Sequence, residues 1–412
     1  DLIPLTITSL LAIVLIPLLG IMESKKAYAL FGNEAVFFIL GAFILAASLM
    51  KSGLSKRFAL AVIGRFGKTP KRLLLAVYLF PAFLSFWMSE HAVAAMMFPI
   101  VVEITKVLDL RPMRSSYGKA LFVAMAWGCI IGGVATFLGG ARNPLAVGML
   151  KEATGHGIGF FEWMVAVVPA VFVMLIVGYI LLRLFFNIDI KSVDQAEEAL
   201  FHKKIEMGRM TWEERAIAFV ILSTIAAWIV LGENFGLANI AIVSVVVLFV
   251  FELLKWKDVE EYVNWGVLLM YGGAIALGSA LDKSKAAEWA TNTFLMEWFS
   301  SPVAAIVILS FLAIVLTEFM SNAAVIAFLM PIGLSVANQM GIDPKVMTLA
   351  IAVPSGLGAM LPMGTPASAI AYSSGFLKVK DMAVPGFLID LLTWFVFVIF
   401  SIYYWPMLGL KI

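Results

Sequence analysis

Two distant stretches constrain this chain more than any other feature. Residues 85–100 read Ser-Phe-Trp-Met-Ser-Glu-His-Ala-Val-Ala-Ala-Met-Met-Phe-Pro-Ile, and residues 317–332 read Thr-Glu-Phe-Met-Ser-Asn-Ala-Ala-Val-Ile-Ala-Phe-Leu-Met-Pro-Ile. Counted from Ser89 and from Ser321, six of the twelve aligned residues are identical, and a proline follows each serine by ten residues. Both runs carry a polar tip inside apolar surroundings. Such a tip, present twice, is what an internally duplicated membrane protein with two hairpins produces.

The composition agrees. With 62% hydrophobic residues, 14% charged residues and a mean hydropathy of +1.00, the chain carries more apolar surface than a soluble fold of this size can hide. Its 32 glycines, many inside apolar runs, suit closely packed membrane helices. A barrel would instead alternate polar and apolar residues. The lone Cys129 gives neither a disulfide framework nor a cysteine-rich metal site. The expected class is an all-α, multi-pass protein of the plasma (inner) membrane, in contact with the lipid bilayer and with no nucleic-acid partner. No cleavable signal peptide is visible and the chain opens on Asp1, so a preceding segment is expected.

Read in order, residues 2–20 and 34–50 have the length of helical spans. A basic segment follows with Lys51, Lys56, Arg57, Arg65, Lys68, Lys71 and Arg72, and a second with Lys106, Arg111, Arg114 and Lys119. The apolar run between them, about 73–105, would strand one basic segment outside if it crossed once. A hairpin that enters and leaves on the cytoplasmic side resolves this and puts Ser89, Glu90 and His91 at its tip. Residues 120–150 are interrupted by glycine pairs and by Ala141-Arg142-Asn143-Pro144, which reads as a broken helix. Residues 1–186 form the first repeat, and the charged stretch 187–212 is the linker. Residues 213–412 form the second repeat, with a hairpin at about 302–339 and a broken helix at about 348–375. The same order with opposite charge bias predicts an inverted repeat.

Hairpin tips that face broken helices gather helix ends at mid-membrane, where N–H groups attract an anion and unwound carbonyls hold a cation. Ser89, Asn143, Ser321, Asn322 and Thr365 are the polar candidates. Glu90, His91 and Arg142 are the hardest to explain as packing, because an ionisable group at that depth needs a partner or a task. Two readings of them stand: a structural Glu90–Arg142 ion pair, or Arg142 as a fixed cation for a substrate with Glu90 or His91 carrying a proton or helping to hold a cation. Glu318 is expected as a salt-bridged support, Trp87 and Phe319 as core packing, and His156 and His202 in solvent. A channel would need a continuous polar pathway, whereas the polar residues cluster at the tips. No His-Glu-x-x-His motif or paired-aspartate cluster points to an intramembrane enzyme.

At these residues the chain resembles the divalent anion/sodium symporter family of the ion transporter superfamily. Residues 316–322 (Leu-Thr-Glu-Phe-Met-Ser-Asn) and Gly364-Thr365-Pro366 resemble its second-half signatures, and residues 85–89 and 94–99 resemble the frame of the first. The resemblance implies a homodimer in which a scaffold holds a transport domain that moves like an elevator. It implies a small anionic substrate (dicarboxylate, citrate or sulfate), sodium as coupling ion and no other cofactor. It implies that Ser89 and Ser321-Asn322 contact the substrate, with one sodium at each tip; Glu90, His91, Arg142, Asn143, Ala323, Thr365 and Pro366 complete the expected substrate-binding set. The second sodium site would use Thr317, Asn322 and backbone near Thr365; the first would use Ser85, Ser89 and backbone near Gly133 and Ala141. The departures are Glu90 and His91 at the first tip, Ala323 at the second, and Ala141-Arg142 where two prolines are usual. The guanidinium is expected to supply the compensation that sodium gives at the first site, leaving at most one sodium, at the second.

Overall fold

The structure, a computed structural model, describes residues 3–295 and 299–412; Asp1 and Leu2, at the start of the first expected span, lie outside the described residues. The described residues form helices and turns without strands. Helices α1 (Leu5–Leu18), α2 (Ser24–Ala29), α3 (Glu34–Lys51) and α4 (Leu54–Phe66) lead to α5 (Pro70–Leu84) and α6 (Glu90–Val107). The chain continues through α7 (Ser116–Gly132), α8 (Arg142–Thr154), α9 (Phe160–Phe185) and α10 (Asp194–Glu206). Next come α11 (Trp212–Phe235), α12 (Leu237–Val250), α13 (Trp256–Tyr262), α14 (Trp265–Lys283) and α15 (Ala286–Ala290). The last stretch holds α16 (Pro302–Thr317), α17 (Asn322–Met340), α18 (Pro344–Ala352), α19 (Pro366–Ser373) and α20 (Val379–Tyr403). Among the described residues, six helical segments are long and apolar enough to cross a membrane. The charged stretch 187–212 contains the helix α10, of which Ala196 and Leu200 are buried.

The breaks follow from the local sequence. Ser89 is the N-cap of α6 and accepts from Ala92 N at 3.3 Å, and Ser321 caps α17 through Ala324 N at the same distance. A serine that satisfies orphan N–H groups lets a helix restart after a non-helical stretch. Pro99 and Pro331 lie inside α6 and α17. Thr365 caps α19, with Pro366 in its first turn, whereas α8 begins at Arg142 behind Ala141 with no side-chain cap.

Packing brings the breaks together. α5 lies along α7 because the latter presents glycine: a Cβ on Gly128 or Gly132 would stand 2.1 or 2.2 Å from the Tyr78 or Ala82 carbonyl oxygen. α8 packs on α17 and α18, and α19 packs on α6 and α7. Each break therefore leans on the other half. The start of α8 meets the start of α17, and the start of α19 faces the tip before α17.

Candidate functional site

Four helix starts surround one cluster of side chains. Glu90 opens α6, Arg142 opens α8, Asn322 opens α17 and Gly364-Thr365 precede α19. Arg142 bonds Glu90 through both terminal nitrogens, Nη1 to Oε1 at 3.0 Å and Nη2 to Oε2 at 3.4 Å. Both residues are buried, at 2% and 5% exposure. A pair so dry is held by geometry: removing either partner leaves an uncompensated charge. Asn322 joins the halves. With its amide oriented so that both ends are satisfied, nitrogen donates to Gly364 O at 3.1 Å and Thr317 Oγ1 at 2.8 Å, and oxygen accepts from Arg142 Nη1 at 3.1 Å. Thr317 Oγ1 donates to Ser355 O at 2.7 Å.

Two glycines shape the seat of the ion pair. A Cβ on Gly133 would lie 2.5 Å from Glu90 Oε2, and one on Gly356 would lie 2.1 Å from both Nε and Nη2 of Arg142. Glycine at these places leaves the volume that the charged groups fill. Tyr271 of α14 is fully buried, its hydroxyl without a hydrogen bond among the described residues.

The two halves differ in the charge of their polar groups. In the first, Asn143 Nδ2 donates to Gly133 O at 3.2 Å and Thr136 O at 2.7 Å, Thr136 Oγ1 to Phe86 O at 2.5 Å, and Glu90 N to Gly139 O at 2.8 Å. The carbonyls of that break are thus engaged by the protein's own donors. In the second, Thr317 Oγ1 donates to Ser355 O and the Asn322 nitrogen to Gly364 O and Thr317 Oγ1, so these oxygens are likewise engaged by the protein's own donors, but the group is neutral; turning the Asn322 amide would make it an oxygen-rich set of the kind a hard cation takes.

The expected residues separate accordingly. Glu90, Arg142, Asn322 and Thr317 come together, with Gly133 against Glu90. Ser89 and Ser321 are the caps next to Glu90 and Asn322, and Ala323 is buried one residue further. Asn143 clamps the first break, and Ser85 is buried at the end of α5. Ala141, half-buried, precedes Arg142. The Thr365 hydroxyl is turned to Ser368 Oγ at 3.1 Å, Pro366 is exposed, and His91 is exposed without a hydrogen bond among the described residues.

Two expectations are corrected. Glu318 has no salt bridge among the described residues: it accepts from Met360 N at 3.0 Å and Leu361 N at 2.6 Å, beside Asp390, which accepts from Ala359 N at 2.9 Å. Three successive amides of an unwound stretch hold the two carboxyl groups where a cation was expected. Phe319 is 67% exposed, because the turn after α16 carries it out of the core, while Trp87 is half-buried. Gly356, Ser355, Thr136, Tyr271 and Asp390 were not singled out as functional residues. Gly356 had a sequence signal in the Pro354–Gly358 break; Tyr271 and Asp390 sit in regular helices and had none.

Comparison with known proteins gives the frame for this geometry. Residues 1–411 match the family model described as "Sodium:sulfate symporter transmembrane region". The chain is 29% identical to the sodium-dependent dicarboxylate transporter SdcS of Staphylococcus saprophyticus, over all of this chain and 84% of that protein. Its identity to SdcS of Staphylococcus aureus is also 29%, with the same coverage. In fold it is similar to the crystal structure of the YdaH transporter of Alcanivorax borkumensis, with a TM-score of 0.60 over 92% of this chain and 87% of that one, at 13% identity. By the match over nearly its whole length, the chain belongs to the sodium:sulfate symporter family and is a multi-pass membrane transporter.

Proposed function

We propose that the chain is a secondary active transporter of a small divalent anion of the dicarboxylate or sulfate class, coupled to sodium at the second-half site. The observation that carries this reading is the meeting of four helix starts around Arg142, Glu90 and Asn322. Helix N-termini favour negative charge, and the guanidinium fork matches the paired oxygens of a carboxylate or sulfate. Thr317, the carbonyls of Ser355 and Gly364 and, with its amide turned to present oxygen, Asn322 would hold one sodium. Ser89, Ser321 and Thr365 would border the anion, with His91 and Pro366 at its outer edge. In this reading Arg142 gives the first half the positive charge that a second sodium would otherwise supply.

The cross-packing of each break on the other half supports two inverted repeats, with hairpins at about 73–105 and 302–339 entering from opposite sides. An elevator-like movement within a homodimer belongs to the same proposal. A second reading is favoured by one observation, the engagement of the first break's carbonyls and Arg142 by the protein itself: exchange or proton-coupled transport without sodium, Glu90 taking the proton.

Proteoliposome uptake of labelled succinate, citrate and sulfate, each with and without a sodium or pH gradient, distinguishes them. Sodium-dependent uptake with one sodium per anion supports the first reading. Uptake that requires two or more sodium ions per anion refutes it, and sodium-independent uptake driven by a pH gradient or counter-anion selects the second.

A further inference from the structure

An apolar groove of about 890 Å³ runs beside the first tip, between α4, α5 and α11 and the end of α3. Phe58, Leu79, Phe83 and Leu222 line it and are 48%, 41%, 57% and 67% exposed. Its lining contains no acidic residue, and its charged members are Arg65 and Arg72. Arg65 stands in the last turn of α4 and Arg72 in the first turn of α5, so both mark the end where these helices join. Lys68 lies in the connection between them and Lys71 in the first turn of α5. All four side chains are exposed and have no ion pair among the described residues.

We propose that this groove is a binding site for an anionic phospholipid, with its phosphate at Arg65 and Arg72 and an acyl chain along α5. Two observations select that occupant over another protein segment. The charge is confined to one end and of one sign, which matches a molecule with one anionic head and an apolar tail. The depth also fits: from Arg72 to Trp87, both lining the groove, is roughly 20 Å at helical rise, the thickness of one leaflet with its headgroup.

The inner end of the groove reaches Leu84, Trp87 and Met88, the residues directly before Ser89 and Glu90. The lipid tail therefore packs behind the tip that carries the ion pair. Filling the groove holds α5 and the tip against α11, and emptying it frees them. This effect on transport rests on the proposed function; the binding does not.

The full chain is purified, delipidated and placed in phosphatidylcholine vesicles doped with phosphatidylglycerol, and the lipid it retains after mild extraction is measured by mass spectrometry. Phosphatidylglycerol is expected to be retained over phosphatidylcholine roughly 30-fold beyond its share of the vesicle, the combined effect of two arginines near an anionic surface. The double variant R65Q/R72Q is expected to lose that preference, and R65K/R72K to keep it. A groove-filling variant, Leu79→Trp, is expected to retain less lipid of either kind with both arginines intact. Thermal unfolding of each variant shows that it is folded, and these surface changes are expected to leave it so. Equal retention of both lipids by the native chain, or an unchanged preference in R65Q/R72Q, overturns the proposal. Efficient disulfide cross-linking between two copies bearing cysteine at Leu222 would give the groove to a second copy and overturn it as well. If lipid preference follows the expected pattern while the chain transports none of the tested anions, the site stands and the proposed function fails.

Discussion

The first and second tips are built on one frame and differ in charge. Each has a serine N-cap, a proline ten residues on and a broken helix downstream. At the first, the residue after the serine is Glu90, neutralised by Arg142 from the following break. At the second it is Asn322, surrounded by the hydroxyl of Thr317 and the carbonyls of Ser355 and Gly364. The acids beside the second tip, Glu318 and Asp390, are held by backbone amides. Helix geometry fixes where the polar groups stand, whereas the charge balance is local and is changed by one or two residues. One half carries its cation covalently; the other, in the proposed function, takes it from solution.

The strongest way to break this comparison is to remove the fixed cation. Arg142→Met leaves Glu90 buried and unpaired, which is expected to cost about 3–5 kcal/mol and abolish uptake; thermal unfolding in detergent and proteoliposome flux measure both. The double variant E90N/R142A turns the first tip into a neutral one like the second. It is expected to recover most of the lost stability and to require one more sodium per anion, so an unchanged sodium stoichiometry would show that the two tips are not interchangeable.

A smaller effect is expected from Gly356→Ala. The added carbon would stand 2.1 Å from the guanidinium, and overpacking of this kind costs about 1–3 kcal/mol. Anion uptake should fall with it, and G356A in the E90N/R142A background should restore much less of a difference, because the long side chain is gone. Thr317→Val tests the second half alone. Loss of the hydroxyl is expected to raise the half-saturating sodium concentration about tenfold, the effect of roughly 1–1.5 kcal/mol for one hydrogen-bonding group, with the stability of the Glu90–Arg142 pair unchanged.

The smallest effect lies outside both tips. Lys51 at the end of α3 pairs with Asp258 of α13. Burial pushes the Asp258 carboxyl up, but the Lys51 ammonium and the Lys255 N–H outweigh it and hold it below the usual aspartate range. A carboxyl lowered in the folded state adds stability that is present above its unfolded value and lost as pH falls through the folded one. Asp258→Asn should therefore cost under about 1 kcal/mol at neutral pH, because the pair is partly exposed. Its difference from the native chain should vanish in acid, as read by unfolding at a series of pH values.

Several of these residues were legible in the sequence. Ser89 and Ser321 announced themselves by polarity inside apolar runs, and their role as caps is a property of four consecutive residues. Glu90 and Arg142 stood out because charge at that depth is costly. Their pairing was one of two readings, since 52 residues separate them. Glu318 shows the limit most clearly. A buried acid suggests a cation along the chain, yet it is satisfied by amides 42 and 43 residues away that only the unwinding after α18 exposes. Phe319 failed for a related reason, because hydrophobicity favours burial in general but the turn decides which side of the helix pair it leaves.

By itself, the sequence determined that this is a helical membrane protein, that two tips repeat, and which family it belongs to. Those properties depend on hydropathy, capping and proline or glycine within a few residues of each other. Only the tertiary structure decided that Arg142 neutralises Glu90, that Asn322 bridges the two halves, and that Asn143 takes the carbonyls of Gly133 and Thr136 in the first break while the Thr136 hydroxyl takes that of Phe86. These are contacts between residues remote in the chain, and they depend on how closely the glycine faces of neighbouring helices let the broken ends approach.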